Sequence, residues 1–282
     1  MRRSLRLGLI VGLVGLILLS SLPVGAEEVK IIAGGIPFGI LGRVFPFKYK
    51  NSTGTCFVID IDGRQYVIAA KHCAPGIKNG DSVQLHMKNE WFTFVIRPIF
   101  PLNEKTDIVA LAADRLIVPK MEILVGAGDM ILGQTAYFLG FPHLPPTPYL
   151  ALSTKFQEWH LPFIKNATIS TLELNPDDGN ILYLDGHNNP GFSGGPVIIA
   201  NHHKQETLQI VGVVSGYANQ NIPVQLAELK ESPSEDQKMG KETKLIPYVP
   251  ENSGIIVAYS IIEIIKAIGA NPIGLPLPQS NR

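Results

Sequence analysis

The sequence predicts an all-β fold of two small barrels with a short C-terminal α-helix, and three observations predict it. Glycine and proline are abundant, 27 and 22 of the 282 residues, which supplies turns at short intervals. Between those turns recur short apolar runs rich in β-branched and aromatic side chains, the mark of strands. A hydrophobic content of 45% is enough to fill the cores, and only one stretch, near the C-terminus, carries helix start and stop signals.

Residues 1–26 read as a signal peptide. Arg2, Arg3 and Arg6 form a basic segment, Leu7 to Leu19 an apolar one, and Val24-Gly25-Ala26 offers the small residues of a cleavage site, so cleavage after Ala26 and a secreted or periplasmic location are expected. Two alternatives stay open: an uncleaved membrane anchor, since the stretch from Leu5 to Leu22 approaches the roughly 20 residues that span a bilayer, and twin-arginine export through Arg2-Arg3 instead of the general secretory route. Residues 27–120 are expected to form the first barrel, with strands at 54–60, 65–71, 82–87, 91–98 and 108–113. Residues 121–259 form the second, with strands near 122–125, 134–139, 167–173, 181–184, 196–200, 208–215 and 254–258. Inside it, 218–253 mixes proline with charge and reads as a long surface loop, either a solvated insertion or a wall of a substrate cleft. Residues 260–282 make the helix and a Pro-rich tail, the helix starting at an N-cap Ser260 with Glu263 three residues on and stopping at Gly269.

Charge excludes one class of partner. With 24 basic and 24 acidic residues and no basic stripe, nucleic acid is not expected. His86, His143, His160, His202 and His203 lack ligand spacing, so neither a metal nor another cofactor is expected.

Chemistry concentrates in three segments. Asn189-Pro190-Gly191-Phe192-Ser193-Gly194-Gly195-Pro196 sets one serine among glycines that let the backbone aim the N–H groups of Gly191 and Ser193 at one point, an oxyanion hole. A hydroxyl needs a base and an acid to orient that base. The strand Tyr66-Val67-Ile68-Ala69-Ala70-Lys71-His72-Cys73 ends in His72, and Asp107 opens the run Ile108-Val109-Ala110-Leu111.

In the order His72, Asp107, Ser193 these segments resemble the chymotrypsin-like (trypsin-fold) serine peptidases, and the wording around Ser193 is similar to the bacterial HtrA-type (Deg) branch. The resemblance spans roughly residues 50 to 260 and implies two six-stranded antiparallel β-barrels, a catalytic triad of His72, Asp107 and Ser193, and protein or peptide substrates. It implies further that Ser215, Gly216 and Tyr217, similar to the family's substrate-pairing strand, bind peptide backbone, and that His187 and Tyr217 face each other across the side-chain pocket. Neither is the aspartate that selects Lys or Arg; selection of Glu through His187 stays open. Cys56 and Cys73 flank a hairpin turning at Asp62-Gly63, and in an oxidising compartment they are expected to form the disulfide that the trypsin-like family carries there.

Three departures stand out. The PDZ domain usual in HtrA-type proteins is not expected after the helix. Phe192 occupies the position where zymogen-activated members have an aspartate that captures a freed N-terminus, so the Lys30–Gly35 segment is not expected to act as such a switch. Lys71 replaces the usual alanine before the histidine and is expected to lower the pKa of His72 slightly. The expectation is an exported serine endopeptidase, with two alternatives: a catalytically silent trypsin-fold peptide-binding protein, and a membrane-tethered assembly factor. The oligomeric state stays open.

Overall fold

The computed structural model describes residues 35–143, 161–175, 179–201, 207–223 and 248–278. The signal segment, His160, His202, His203, Lys30 and the middle of the predicted 218–253 loop lie outside them.

A four-residue helix, α1 (Phe38–Leu41), leads into β1 (Val44–Tyr49), β2 (Ser52–Ile61), β3 (Arg64–Ala69), β4 (Ser82–Met87), β5 (Glu90–Ile99) and β6 (Val109–Ala113). These strands are hydrogen-bonded in the order β3-β2-β1-β4-β5-β6, and β3 also pairs with β6, which closes the barrel. Then come β7 (Leu124–Val125), β8 (Thr135–Gly140), β9 (Phe163–Asn175), β10 (Gly179–Asp185), β11 (Pro196–Asn201), β12 (Thr207–Pro223) and β13 (Tyr248–Ser260), followed by α2 (Ile262–Ala270) and β14 (Leu275–Pro276). The second ring runs β11-β8-β9-β10-β13-β12 and closes through β11 and β12; β7 adds to β12, and β14 adds to β3 of the first ring. This is the two-barrel, six-stranded antiparallel fold with a short C-terminal helix that the sequence predicts.

Strand periodicity builds three cores from few segments. Successive side chains of a strand point to opposite faces, so in β2 Cys56 and Val58 fill the first barrel while Phe57 and Ile59 face the second. β3 repeats the pattern, with Val67 and Ala69 inside and Tyr66 and Ile68 outside. Phe138, Leu182, Phe192, Val197 and Ile256 fill the second barrel. Between the barrels, Phe57, Ile68, Phe141, Ile198 and Val213 pack with Ile264 and Ile268 of α2. Because each central strand is buried on both sides, barrel and interface are specified together.

Some boundaries differ from expectation. β1 escaped notice because Pro46 breaks its strand signal; Pro46 sits where β1 pairs only with β2, since pairing with β4 is confined to Phe47 and Lys48, so its missing N–H costs no ladder bond there. Residues 218–223 and 248–253, read as loop, are strand: β12 and β13 stay paired out to Pro223 and Tyr248. Ser260 is not the N-cap, a position held by Ile261 without a side-chain cap, and Gly269 lies inside α2. Glu263 instead accepts a hydrogen bond from Asn180 Nδ2 at 2.8 Å. In the Pro-rich tail, Leu275 and Pro276 pair with Gln65 and Arg64.

Candidate active site

His72 sits in a single 3-10 turn, Lys71–Cys73, where β3 leaves the first barrel. Its backbone N–H donates to Asp107 Oδ1 at 2.8 Å, and Nδ1 lies 2.6 Å from Asp107 Oδ2. Ser215 Oγ donates to the same Oδ2 at 2.5 Å. Three donors on one carboxylate lock both the acid and the imidazole it orients. Ser215 reaches it because β12 bulges between Val214 and Gly216, turning the residue out of its ladder.

The loop carrying Ser193 is tied to both barrels. Ser193 O accepts the Thr55 N–H of β2 at 2.8 Å, Gly194 N donates to Val214 O at 2.7 Å, and Val214 N donates to Gly195 O at 2.8 Å. The Ser193 hydroxyl donates to Ser215 O at 2.8 Å. Among the described residues no hydrogen bond joins it to His72, so the direct contact expected from the motifs is replaced by one to the neighbouring carbonyl.

Thr55 is the site residue that sequence reading missed. Wholly buried, it donates through Oγ1 to Gly191 O at 2.7 Å and accepts from Phe141 N at 3.0 Å, besides its backbone bond to Ser193. Within Thr55-Cys56-Phe57 it reads as one more β-branched strand residue, and nothing in the run marks its partners. Thr55→Val keeps the shape and strands two buried polar groups, each worth about 1–3 kcal/mol. A stability loss of about 2–4 kcal/mol is expected in denaturant unfolding; an unchanged midpoint would show that the loop does not depend on this hydroxyl.

The direction of the Gly191 amide is set by its neighbours. Pro190 O is held by His143 N at 2.9 Å, and across a trans peptide the following N–H points the opposite way. Gly191 has φ +102°, and a Cβ on it would meet Phe141 O at 2.2 Å, so only glycine fits.

A sequence model for the trypsin-like peptidase domain matches residues 54–204, more than half of the chain. The chain belongs to the trypsin-like peptidase domain family. It is a serine endopeptidase of the trypsin-like fold. No curated protein sequence matches it. Among solved structures it is similar to the inactive form of the Rv3671c protease of M. tuberculosis, at 16% identity, 83% of this chain, 90% of that chain and TM-score 0.48. It is similar also to the HtrA-type protease AlgW with tripeptide, at 14% identity, 81% of this chain, 60% of that chain and TM-score 0.47.

Two expectations about this trypsin-like peptidase are corrected. Cys56 and Cys73 are buried and unbridged. Cys73 Sγ is turned to Ser193 O at 3.8 Å, in the gap left by Gly54, where a Cβ would lie 2.6 Å from that sulfur. Burial pushes the Cys56 thiol well above its ordinary range, which keeps it protonated. Lys71 does not lower the pKa of His72: its ammonium turns away to Glu104 O. The hydrogen bond to Asp107, then one to Cys73, raise His72 to about 10 against the opposing effect of burial. Burial pushes the Asp107 carboxyl up, but the bonds from His72 and Ser215 outweigh it, and Asp107 stays below its ordinary range.

These shifts set the pH response. An imidazole that must be neutral to take a proton becomes competent only above its raised pKa, so kcat/KM of the free peptidase is expected to climb with pH through an ionisation above 6.5. Stability runs the other way. The contribution of His72, raised in the folded state, is full below 6.5 and is lost as pH rises toward 10. A kcat/KM plateau reached below pH 6.5 would refute this assignment.

The predicted substrate-binding residues are only partly brought together. Ser215, Gly216 and Tyr217 lie on β12 beyond Val213, where its pairing with β11 ends, so among the described residues that edge has no strand partner. His187 is exposed and is not shown facing Tyr217. The next residue makes the bridge instead: buried Asn188 donates through Nδ2 to Gly216 O at 3.1 Å, and Asn252 Nδ2 donates to Asn188 O at 2.7 Å. An asparagine before Asn-Pro reads as turn, so sequence offered no signal for it.

Proposed function

We propose that this chain is exported and hydrolyses peptide bonds through an acyl-enzyme, with His72, Asp107 and Ser193 as its triad. One observation carries the reading: the hydrogen-bonded line from His72 through Asp107 to Ser215, whose carbonyl holds the Ser193 hydroxyl. An extended peptide adds to the open edge of β12 at Ser215, Gly216 and Tyr217, giving main-chain affinity. Its N–H takes Ser215 O and releases the hydroxyl to turn toward His72. Ser193 Oγ then bonds to the peptide carbonyl carbon and its proton passes to His72 Nε2, while Asp107 holds the Nδ1–H tautomer. The amides of Gly191 and Ser193 receive the oxyanion. His72 returns the proton to the leaving amine as the C–N bond breaks, and water, deprotonated by His72, hydrolyses the ester.

A fluorophosphonate tests this. Wild-type protein is expected to lose activity on casein and gain one adduct on Ser193, whereas Ser193→Ala takes no adduct and loses at least about 10⁴-fold in kcat. A second reading, a silent peptide-binding protein, is favoured by the Ser193 hydroxyl resting on Ser215 O; folded wild-type protein that resists the phosphonate would establish it. N-terminal sequencing of the cell-derived protein tests export: Glu27 is expected first, and an intact Met1 in the membrane fraction would favour a tethered assembly factor instead.

A further inference from the structure

The loop before Ser193 is held from beneath by a cation. Lys165 projects from β9, where it lies in register with Phe138, and its Nζ donates to His187 O at 2.7 Å and to Asn189 Oδ1. The same ammonium stands 5.4 Å from the centroid of the Phe192 ring, which is itself wholly buried and edge-on to Phe138. Among the described residues no carboxylate ion-pairs with it, and burial lowers its pKa. A half-buried ammonium without a carboxylate is an unfavourable thing to keep unless its donors are used. Among the described residues its hydrogen bonds and its ring contact fall on the segment 187–192.

We propose that Lys165 is a positioning residue for hydrolysis, its ammonium fixing the loop that presents Gly191 N–H and Ser193. The inference rests on the peptidase reading above. The two ends of the loop have separate anchors: Lys165 gathers His187 and Asn189 on one side, and His143 N holds Pro190 O on the other. With both in place the Pro190–Gly191 peptide has one orientation and its N–H faces the oxyanion. Phe192 completes the site by offering a ring face to a cation, where the resemblance would have an aspartate receive a freed N-terminal ammonium. The cation comes from the barrel wall, so the loop is ordered without cleavage.

The test compares wild type with Lys165→Met, Lys165→Arg and Lys165→Ala, reading kcat and KM on a fluorogenic peptide and amide exchange of the 187–195 segment. In Lys165→Met, kcat is expected to fall about 10- to 100-fold, short of losing an oxyanion donor outright. KM should stay within about twofold, since the Ser215–Tyr217 edge keeps its pairing with β13 whatever the loop does, and exchange in 187–195 should rise. Lys165→Arg and Lys165→Ala with added propylammonium should recover part of kcat. Unchanged kcat and exchange in Lys165→Met, or loss of kcat with no recovery by either cation, would overturn the proposal. If Lys165→Met does not fold, Lys165→Gln, one atom shorter and carrying an amide donor without the charge, is read by the same criteria. A wild type that neither hydrolyses peptide nor takes the phosphonate, while Lys165→Met still loosens the loop, leaves the anchoring role standing and overturns the peptidase reading instead.

Discussion

Asp107→Asn is expected to cut kcat about 10⁴-fold with the fold intact. The carboxylate accepts three hydrogen bonds, from His72 N on Oδ1 and from His72 Nδ1 and Ser215 Oγ on Oδ2. A carboxamide has one oxygen and one NH₂, so it cannot accept on both sides. With its oxygen toward His72 N, the NH₂ meets Nδ1 and forces the proton onto Nε2, the tautomer that cannot take a proton from Ser193. With the oxygen toward Nδ1, the NH₂ is set against the backbone N–H of His72, two donors facing each other. The loss of charge has a second consequence. Because the hydrogen bond to Asp107 is the leading cause that raises His72 to about 10, the ionisation governing residual activity should move down in the variant. Steady-state kinetics across pH check both; a kcat within tenfold of wild type, or an unmoved ionisation, would mean that Asp107 does not orient the base.

Among the described residues Gly194→Ala should be the most damaging single-methyl change, abolishing activity and removing several kcal/mol of stability. Gly194 has φ +89°, a region that costs a residue with a Cβ about 1–3 kcal/mol. A Cβ there would lie 2.0 Å from Thr55 O of β2 and 2.9 Å from Ala70 N, directly after β3. Neither strand can retreat, since β2 and β3 pair with each other along their length and carry the barrel interface on their outer faces. The loop must move instead, breaking Thr55 N to Ser193 O and Gly194 N to Val214 O and carrying Ser193 away from Ser215. Against a total of about 5–15 kcal/mol for a typical domain, that is a large fraction. Thermal unfolding and phosphonate labelling measure it; a variant that melts like wild type and still labels would show that the loop tolerates what its packing forbids.

The difference between what was legible and what was not follows from the range of the interactions. Alternation along β2, β3 and β6, turn residues between strands, and the segments around His72, Asp107 and Ser193 are local patterns, and they determined the barrels, the candidate triad and the glycines of the nucleophile loop. β1, interrupted by Pro46, and the β12–β13 extension, polar in composition, had weak local signals and owe their strand state to pairing with neighbours. The partners that shape the site were illegible because they join positions far apart in the chain: Thr55 with Gly191, Asn188 with Gly216, Lys165 with Asn189. A disulfide between Cys56 and Cys73 followed from spacing and compartment, but the direction of Cys73 Sγ toward Ser193 O is set by the meeting of the two barrels. By itself the sequence determined the barrels and which residues are candidates for the chemistry, since hydrophobic period and backbone freedom are written residue by residue. Tertiary structure alone decided which carbonyl the Ser193 hydroxyl rests on and which cation holds its loop, because hydrogen bonds and buried charge depend on what the fold brings within about 3 Å.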